Sequence, residues 1–433
     1  MKLIHDNLTI GANGILNFAG VDTVYMAKEY GTPLMILDEE GIRNQIRLFC
    51  RAMIQNFGED SEPLYASKAL CIKTLYSILQ EEGIGADLIS GGEMLTAVAG
   101  GFDMNKAYMH GNYKNDEELA FAMKNKLGVI VIDNSEDARN INLIAGHFKK
   151  RQKVLLRLIP GVDPDTHKAI LTGHIDSKFG VSIKTGEALE LVREILKAEH
   201  LDLLGFHSHI GSQILDVKPF CDTAVTMLNF IYDVREKTGF ETLELNLGGG
   251  FGVQYTLKEQ AIDYESWIRE IGITIQAECK RLNLRQPRIK LEPGRSIVAA
   301  NGITLYTIGA IKKNPGKTFI IVDGGMTDNP RYALYRSAYS VYIANKMNLP
   351  SDFTATIGGR CCESGDILQE EVKVPFPEKG DILAFAVTGA YNYSMAMNYN
   401  RVPRPAIIML DKNGNHRPVV KRENWEDLLR LDV

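Results

Sequence analysis

Reactive or glycine-rich residues lie within or directly after the last residues of seven short apolar segments of this 433-residue chain. In chain order they are Ser67-Lys68, Asp87 with Ser90, His110-Gly111-Asn112, Arg157, His207-Ser208-His209-Ile210-Gly211-Ser212, Gly248-Gly249-Gly250-Phe251-Gly252 and Glu292-Pro293-Gly294-Arg295. A lysine that closes an apolar segment is expected to be buried, and a buried lysine needs a partner or a lowered pKa. Together the segments offer an amine, imidazoles, a carboxylate and a glycine run.

The glycine run at residues 248–250 can bring backbone N–H groups close to an anion such as a phosphate. It is not a dinucleotide-binding fingerprint, because the third glycine of that motif would fall at Val253. Each feature alone also has a structural reading: a surface lysine, histidines satisfied within a core, a tight turn or a salt-bridged turn. Seven such features at seven segment ends favour a functional site.

A cofactor with an aldehyde, an aromatic ring and a phosphate would use all of these groups. Pyridoxal 5'-phosphate has these parts. In enzymes that use it, a lysine anchors its aldehyde and an acidic residue keeps its pyridine nitrogen protonated. The protonated ring then takes up the electron pair released at the α-carbon of a substrate. We therefore expect pyridoxal-phosphate chemistry.

The apolar segments themselves read as strands. They cover residues 64–67, 86–90, 107–110, 129–133, 154–159, 203–209, 243–247 and 288–292. Helical patterns lie between them, among others at residues 72–82, 116–126, 186–199 and 261–282. Asn115 with Glu118 predicts a capping box, and Ser135 is predicted to be an N-cap. Eight strands that alternate with helices predict an α/β fold with a (β/α)8 TIM-like barrel, with a doubly wound open sheet as the alternative.

The sequence pattern changes near residue 300. Strand-like segments at residues 303–311, 318–322, 354–357, 382–386 and 405–410 are separated by Gly, Pro and Asn turns, and only residues 425–431 read as a short helix. The pattern predicts a mostly β C-terminal domain that also takes up the N-terminal segment. We expect residues 1–30 to be that segment, residues 31–300 the barrel that binds pyridoxal phosphate, and residues 301–433 the C-terminal β domain.

Composition excludes several protein classes. Hydrophobic residues make up 45% and charged residues 24%, which is typical of globular proteins. A net charge of -5 leaves no basic field for a nucleic acid. No apolar run reaches the roughly 20 residues of a membrane span, and the N-terminus lacks the apolar core of a signal peptide. Six cysteines, including adjacent Cys361 and Cys362, predict no disulfide framework, so we expect a cytoplasmic protein.

Seven motifs occur in a fixed order along the chain. They are Tyr65-Ala66-Ser67-Lys68-Ala69-Leu70, His207-Ser208-His209-Ile210-Gly211-Ser212-Gln213, Gly248-Gly249-Gly250-Phe251-Gly252, Glu292-Pro293-Gly294-Arg295-Ser296-Ile297, Asp323-Gly324-Gly325-Met326-Thr327-Asp328 with Arg331 and Tyr335, Cys362-Glu363-Ser364-Gly365-Asp366, and Gly389-Ala390-Tyr391. With these motifs the chain resembles, over nearly its whole length, the diaminopimelate decarboxylases, which are alanine-racemase-like pyridoxal-phosphate enzymes of fold type III. The resemblance implies decarboxylation of meso-2,6-diaminopimelate to L-lysine and CO2, the last step of lysine biosynthesis.

The resemblance also implies roles around the cofactor. Lys68 would anchor it covalently, His209 would stack on its ring and Glu292 would pair with the pyridine nitrogen. The remaining cofactor-binding residues would be Asp87, Ser212, Gly249, Gly250, Pro293, Gly294, Arg295 and Tyr391. No metal ion is expected.

For the substrate, the resemblance implies that Arg295, Arg331 and Tyr335 hold the distal carboxylate. A planar guanidinium suits that task because it binds a carboxylate through two hydrogen bonds. Glu363 would pair with the distal ammonium, and Tyr391 would lie near both substrate and phosphate.

The same resemblance makes Cys362 the acid that protonates the α-carbon after CO2 leaves, whereas Cys361 would be structural. Cys362 and Glu363 lie far from Lys68 in the sequence. In similar enzymes this loop completes the partner subunit's site, which implies a homodimer with shared active sites.

Other functions stay open from the residues alone. A decarboxylase of ornithine, lysine or arginine would keep the cofactor, but its substrate has no distal carboxylate for two arginines. A racemase on this architecture would need more than one acid. A metal hydrolase could use His207 and His209, although it needs further ligands on neighbouring strand ends. A non-catalytic carrier of the cofactor would not need the Cys362-Glu363 segment.

Overall fold

The structure is a computed structural model that describes residues 2–162 and 177–433. Within the described residues the chain forms two compact units. The barrel unit consists of Gln45–Gly252 and Ile262–Gly294, and the β unit consists of Met1–Asn44, Val253–Ala261 and Arg295–Val433.

Strands are numbered in chain order over the described residues. They are β1 (Leu8–Ile10), β2 (Leu16–Phe18), β3 (Val21–Asp22), β4 (Leu34–Asp38), β5 (Glu62–Ala66), β6 (Gly85–Leu88), β7 (Ala107–Met109), β8 (Val129–Ile132), β9 (Gln152–Ile159), β10 (Val181–Ser182), β11 (Leu201–Ser208), β12 (Glu244–Asn246), β13 (Arg288–Leu291), β14 (Gly302–Asn314), β15 (Lys317–Val322), β16 (Val341–Ile343), β17 (Phe353–Gly358), β18 (Ile367–Val374), β19 (Ile382–Ala386), β20 (Ala406–Leu410) and β21 (His416–Val420).

Helices are numbered in the same way. They are α1 (Thr23–Tyr30), α2 (Glu39–Phe57), α3 (Lys73–Glu82), α4 (Gly91–Ala99), α5 (Asp116–Lys124), α6 (Ser135–His147), α7 (Glu187–Lys197), α8 (Lys218–Thr238), α9 (Tyr264–Arg281), α10 (Arg295–Val298) and α11 (Arg331–Tyr335). Among the described helices, none is long and apolar enough to cross a membrane.

The barrel unit contains a closed barrel of eight parallel strands. They pair in the order β9-β11-β12-β13-β5-β6-β7-β8, and β8 pairs with β9 to close the ring. Alternating apolar residues such as Val129 and Val131 pack with Leu64, Leu155 and other buried side chains. The predicted TIM-like barrel is therefore confirmed. The doubly wound alternative is excluded, because an open sheet has two unpaired edges.

Two local predictions concern helix starts in this unit. The predicted capping box is present, because Asn115 accepts from the Glu118 N–H and Glu118 accepts from the Asn115 N–H. The predicted N-cap at Ser135 is wrong by one residue. Asn134 caps α6 by accepting from the Asp137 N–H at 2.9 Å, and Ser135 is the first helical residue.

The β unit is built on a mixed sheet of nine strands. Seven strands follow the order β18-β17-β15-β14-β4-β20-β21, while β19 pairs with β14 and β16 pairs with β19. Strands β1, β2 and β3 form a separate three-stranded sheet. The mostly β domain with its N-terminal contribution is thus present.

The structure differs from the predicted barrel start at residue 31. Strand β4 is antiparallel to β14 and parallel to β20, so its backbone hydrogen bonds lie in the sheet of the β unit. The β unit also includes Val253–Ala261, within the segment predicted as barrel. The helix predicted at residues 425–431 is only a 3₁₀ turn, Asp427–Leu429. Trp425 and Leu429 are exposed there, so no apolar packing supports a longer helix.

Candidate active site

Lys68 lies on a 3₁₀ turn, Ser67–Ala69, that directly follows β5. The buried Tyr76 hydroxyl donates to Ser67 Oγ at 2.8 Å, which fixes the residue before the lysine. The Lys68 side chain is half-buried, whereas the sequence predicts a buried lysine. The barrel thus holds this amine at the carboxyl end of a strand, where barrel enzymes place their reactive groups.

Glu292 is the centre of a buried polar cluster at the end of β13. Asn246 Nδ2 donates to Glu292 Oε1 at 2.8 Å, and His110 Nε2 lies 3.1 Å from the same oxygen. His207 Nε2 lies 3.3 Å from Glu292 Oε2. Asn246 ends β12, His110 follows β7 and His207 lies in β11. Three strands of the barrel, two of them adjacent to each other, therefore place polar side chains around one carboxylate.

The electrostatics of this cluster favour an ionised Glu292. Burial alone would raise the pKa of its carboxyl, but the His110 and His207 rings hold that pKa well below its usual range. Burial lowers the pKa of His207 to about 4, against the attraction of Glu292. His207 is then neutral at neutral pH and acts as a hydrogen-bond donor. A buried carboxylate of this kind suits a cationic partner.

Asp87 and Arg157 lie beside the same cluster. Asp87 Oδ1 is 3.6 Å from His110 Nε2, and burial raises the pKa of Asp87 while His110 opposes this. Burial lowers the pKa of Arg157, and the charges of Asp133, Glu292 and Asp87 oppose it. One buried guanidinium is thus placed among three carboxyl groups.

His209 follows the last residue of β11. Its Nδ1 accepts a hydrogen bond from Gly249 N at 3.3 Å. Burial, together with the positive charges of Lys68 and Arg157, lowers the pKa of His209 well below 6.5. The ring is therefore neutral and lies within electrostatic reach of Lys68, and it can stack on an aromatic ligand.

The glycine run after β12 allows unusually close backbone approaches. Gly250 has φ 115°, and a Cβ on Gly249 would come within 2.1 Å of the Glu292 carbonyl oxygen. The Ile214 N–H donates to the Gly250 carbonyl oxygen at 3.0 Å, which places the loop containing Ser212 beside the glycines. The structure brings these predicted phosphate-binding residues together.

The turn after Glu292 is tied to the strand that leads to Lys68. The Ala66 N–H donates to the Pro293 carbonyl oxygen at 3.1 Å. A Cβ on Gly294 would come within 2.9 Å of the Ala66 Cβ, so glycine is needed for this contact. The carboxylate and the lysine are therefore held by one rigid junction.

In the β unit, Arg295 and Arg331 begin α10 and α11 and meet at one phenol. Arg295 Nη1 donates to Tyr255 Oη at 2.5 Å, and Arg331 Nη1 donates to it at 2.7 Å. The Arg295 guanidinium also lies 4.6 Å from the centre of the Tyr391 ring. Tyr335 ends α11, one turn from Arg331, and is half-buried. Both predicted arginines and Tyr391 are thus brought together.

Cys362 and Glu363 lie on the loop between β17 and β18, and both are exposed. The Cys362 N–H donates to Asn400 Oδ1 at 2.8 Å. Burial, followed by the charge of Asp366, raises the pKa of the neighbouring Cys361 to about 11. The cysteine chosen as the acid is therefore the more accessible one.

Several residues of these clusters received no assigned role from the sequence. His110, His207 and Arg157 lie in predicted strands, and the structure places them around Glu292. Asn246 was missed, although an amide within the apolar β12 region signals a buried partner. Tyr255 was missed because it lies beyond the glycine run, in no predicted strand or helix.

Three of the residues also meet the geometry of a metal site. The ligand atoms of His110, His207 and Glu292 lie within 4.8 Å of one another. His110 is thus a neighbouring ligand of the kind that a metal hydrolase would need. The Arg157 guanidinium is close enough to influence Glu292, and this positive charge disfavours a divalent cation there.

Comparison with known proteins gives a consistent result. Residues 43–299 match the family described as pyridoxal-dependent decarboxylase, pyridoxal binding domain. The chain is 40% identical over 431 residues to the diaminopimelate decarboxylase of Bacillus subtilis (strain 168), covering 99% of this chain and 98% of that protein. It is also 40% identical over 423 residues to that of Staphylococcus aureus (strain COL), covering 97% and 98%.

A solved structure agrees with these relatives. The crystal structure of diaminopimelate decarboxylase from M. jannaschii in complex with L-lysine superposes with a TM-score of 0.93 and 30% identity, covering 100% of this chain and 99% of that chain. Both sequence and fold match over the full described length. The chain belongs to the diaminopimelate decarboxylases, within the pyridoxal-dependent decarboxylase family.

Proposed function

We propose that the protein removes one carboxyl group from meso-2,6-diaminopimelate and releases L-lysine and CO2. The observation that carries this proposal is the buried, ionised Glu292, held at a barrel rim that also bears Lys68. Membership of the diaminopimelate decarboxylases supports the substrate. We place the reaction in the cytoplasm, as the last step of lysine biosynthesis.

Pyridoxal 5'-phosphate is the cofactor that fits this donor set. Lys68 offers the amine that would anchor it, Glu292 an anion for its ring nitrogen, and neutral His209 a ring to stack on it. When bound, the cofactor supplies an aldehyde that condenses with amines and a cationic ring that accepts an electron pair. The other residues proposed to hold it are Asp87, Ser212, Gly249, Gly250, Pro293, Gly294, Arg295 and Tyr391.

Glu292 would keep a proton on the pyridine nitrogen. Asn246 and His207 each direct a donor at the carboxylate, so its orientation is set before any ligand arrives. Preorganised charge of this kind is effective in a site that excludes water. The chain's own contribution to the electron uptake is therefore a fixed, buried negative charge.

Recognition of the substrate's far end is assigned to charged side chains of the β unit. Arg295, Arg331 and Tyr335 would bind the distal carboxylate, and Glu363 would bind the distal ammonium. Arg331 is buried, and among the described residues it has no carboxylate within ion-pair distance. A buried guanidinium of this kind favours an anionic ligand.

Cys362 is proposed to protonate the α-carbon after CO2 leaves. Its loop is exposed in the single chain, whereas a general acid works best in a site shielded from water. We therefore propose that the loop acts on the active site of a partner subunit, which makes the functional unit a homodimer. Cys361 has a raised pKa and stays structural in this scheme.

Steady-state assays of the purified protein with its cofactor test the proposed substrate. The panel consists of meso-diaminopimelate, L-lysine, L-ornithine and L-arginine, with release of CO2 as the common readout. We expect kcat/KM for meso-diaminopimelate to exceed the others by at least about 100-fold, because they lack a second carboxylate to pair with two arginines. Comparable turnover of ornithine or lysine would instead make the protein a decarboxylase of simple basic amino acids.

A further inference from the structure

The hydroxyl of Tyr255 is the point at which two buried arginines meet. Arg295 Nη1 and Arg331 Nη1 donate to this one oxygen at 2.5 and 2.7 Å. Tyr255, Arg295 and Arg331 are 4%, 6% and 4% exposed. Two guanidinium groups in a poorly hydrated environment repel each other, so a shared acceptor is needed to keep them close.

The position of Tyr255 is itself fixed by its surroundings. Its backbone carbonyl oxygen accepts from Ser340 N at 3.1 Å and from Ser340 Oγ at 3.0 Å, while its N–H donates to Glu259 Oε2 at 2.7 Å. Its ring packs edge-on against Tyr339 with centroids 5.3 Å apart. The phenol oxygen therefore presents a rigid reference point to both arginines.

Tyr339 adds a second contact on one side only. Its hydroxyl accepts from Arg331 Nη1 at 3.0 Å and donates to Asn392 Oδ1 at 3.2 Å. Arg331 thus has two phenol partners, and of these two phenols Tyr255 is the one that also accepts from Arg295. Removal of the Tyr255 hydroxyl would remove the shared acceptor and change the distance between the two guanidinium groups. Removal of the Tyr339 hydroxyl would leave this shared acceptor in place.

We propose that Tyr255 is a specificity-determining positioning residue whose hydroxyl sets the spacing of Arg295 and Arg331 so that one carboxylate can bridge them. The inference rests on the proposed function, because it takes these arginines as the site of the substrate's distal carboxylate. Tyr255 acts through the arginines and does not need to touch the reacting atoms. Its loss therefore affects recognition of that carboxylate more than the chemical step.

The test compares two ligands that differ only in this carboxylate. L-lysine and cadaverine share a five-carbon diamine skeleton, and only L-lysine carries a carboxylate. Binding of each to the cofactor-loaded protein is measured by calorimetry for wild type, Tyr255→Phe and Tyr339→Phe. We expect Tyr255→Phe to weaken L-lysine by about 10- to 100-fold, as for loss of a hydrogen bond to a charged group, with cadaverine unchanged within about twofold.

Steady-state kinetics give a second readout. In Tyr255→Phe the KM for meso-diaminopimelate should rise by a similar factor, whereas kcat should change by less than about threefold. Tyr339→Phe should have the smaller effect on both ligands and on KM. If wild type bound L-lysine in preference to cadaverine but did not decarboxylate diaminopimelate, the proposed function would fail while the role of Tyr255 could still be measured.

Two results would overturn the proposal. One is an affinity for L-lysine in Tyr255→Phe within twofold of wild type. The other is an equal loss for L-lysine and cadaverine, which would indicate a general structural role. If thermal melting shows that Tyr255→Phe is poorly folded, Tyr255→Gln is measured in its place. Its amide oxygen can accept from one guanidinium only, so the preference for L-lysine over cadaverine should fall below that of wild type. An unchanged preference would again contradict the proposal.

Discussion

Glu292 illustrates how single residues set the chemistry of the barrel rim. A carboxyl group buried among apolar strands would normally become neutral, but Asn246, His110 and His207 surround it with polar groups. The result is a buried carboxylate whose orientation is fixed and whose charge is retained. Under the proposed function this charge would pair with the cationic nitrogen of the cofactor ring.

Replacing Glu292 with Gln should lower turnover of the substrate but leave binding of the cofactor intact. The amide has the same shape but lacks the charge that, in the proposed function, would keep the ring nitrogen protonated. We expect kcat to fall by at least about 10²-fold, while the cofactor stays bound through its other contacts. Absorption spectra and single-substrate kinetics measure the two effects, and near-normal turnover in this variant would show that another group supplies the proton.

Glu93 gives a prediction for pH dependence. Burial raises the pKa of its carboxyl to about 7, against the hydrogen bond from the Ile89 N–H, whereas its ordinary value is 4.5. Between these values the folded protein binds more protons than the unfolded chain, so stability falls as pH rises through this window. Glu93→Gln removes this titration and keeps an acceptor for the Ile89 N–H.

We therefore expect the free energy of unfolding of wild type to fall, relative to Glu93→Gln, by up to about 3 kcal/mol between pH 4.5 and pH 7.5. Urea unfolding of both proteins at several pH values measures this difference. Glu426→Gln, at an exposed position, is the control and should follow wild type at every pH. A constant difference between wild type and Glu93→Gln would show that Glu93 does not titrate in this range.

At the scale of elements, the loop that carries Cys362 depends on one buried carboxylate. Asp366 Oδ1 accepts from the Met326 N–H at 2.6 Å, and Asp366 Oδ2 accepts from the Cys361 N–H at 2.7 Å. A Cβ on Gly359 would come within 2.4 Å of these oxygens, so the glycine leaves room for the carboxylate. Asp366 thus fixes the start of the loop.

Asp366→Asn should loosen this loop, because its amide can accept from only one of the two N–H groups well. We expect the free energy of unfolding to fall by about 1–3 kcal/mol and kcat to fall with little change in the cofactor spectrum. Asp411→Asn is the matched control, since Asp411 also accepts from two backbone N–H groups but in the exposed β20–β21 turn. Equal kcat values in the two variants would contradict a role for Asp366 in placing Cys362.

The elements of the barrel could be predicted from the sequence because their signals are local. Apolar runs of strand length, helical periodicity and the Asn115–Glu118 pair each depend on neighbouring residues only. The start of the barrel could not be predicted in this way. Strand β4 is apolar like a barrel strand, and only its long-range pairing with β14 and β20 assigns it to the other sheet.

In the candidate site, too, local sequence signals could be read from the sequence, whereas long-range contacts could not. Lys68, His209 and Glu292 could be proposed as site residues because of their types and their places at strand ends. Asn246 contacts Glu292 from the adjacent strand β12, His110 contacts it from the end of the non-adjacent strand β7, and Tyr255 joins two arginines that follow it by 40 and 76 positions. Sequence alone does not reveal which distant side chains share a hydrogen bond.

At the scale of the whole molecule, the proposed shared active site requires two chains. The proposed acid Cys362 is exposed in one chain, and its loop belongs to the β unit, whereas Lys68 belongs to the barrel unit. Mixing inactive Lys68→Ala with inactive Cys362→Ala subunits should therefore restore activity. A mixed dimer has one site with both defects and one with neither, and random exchange should recover about a quarter of wild-type activity.

Mixing Lys68→Ala with Glu292→Gln is the control for this experiment. Both residues lie in the barrel unit, so each site of a mixed dimer keeps one defect and no recovery is expected. Subunit exchange is verified by mass spectrometry with one isotopically labelled partner. Verified exchange without recovery in the first mixture would mean that Lys68 and Cys362 serve the active site of the same chain.

In the proposed reaction the protein exchanges one carboxyl group of diaminopimelate for one proton. The most direct measurement is a reaction of meso-diaminopimelate in D₂O, with CO2 quantified and the amino acids analysed by mass spectrometry. We expect one L-lysine with a single carbon-bound deuterium for each CO2 released. Carbon-bound deuterium in recovered diaminopimelate without release of CO2 would indicate a racemase instead, and recovery of unlabelled diaminopimelate alone would contradict catalysis on this substrate.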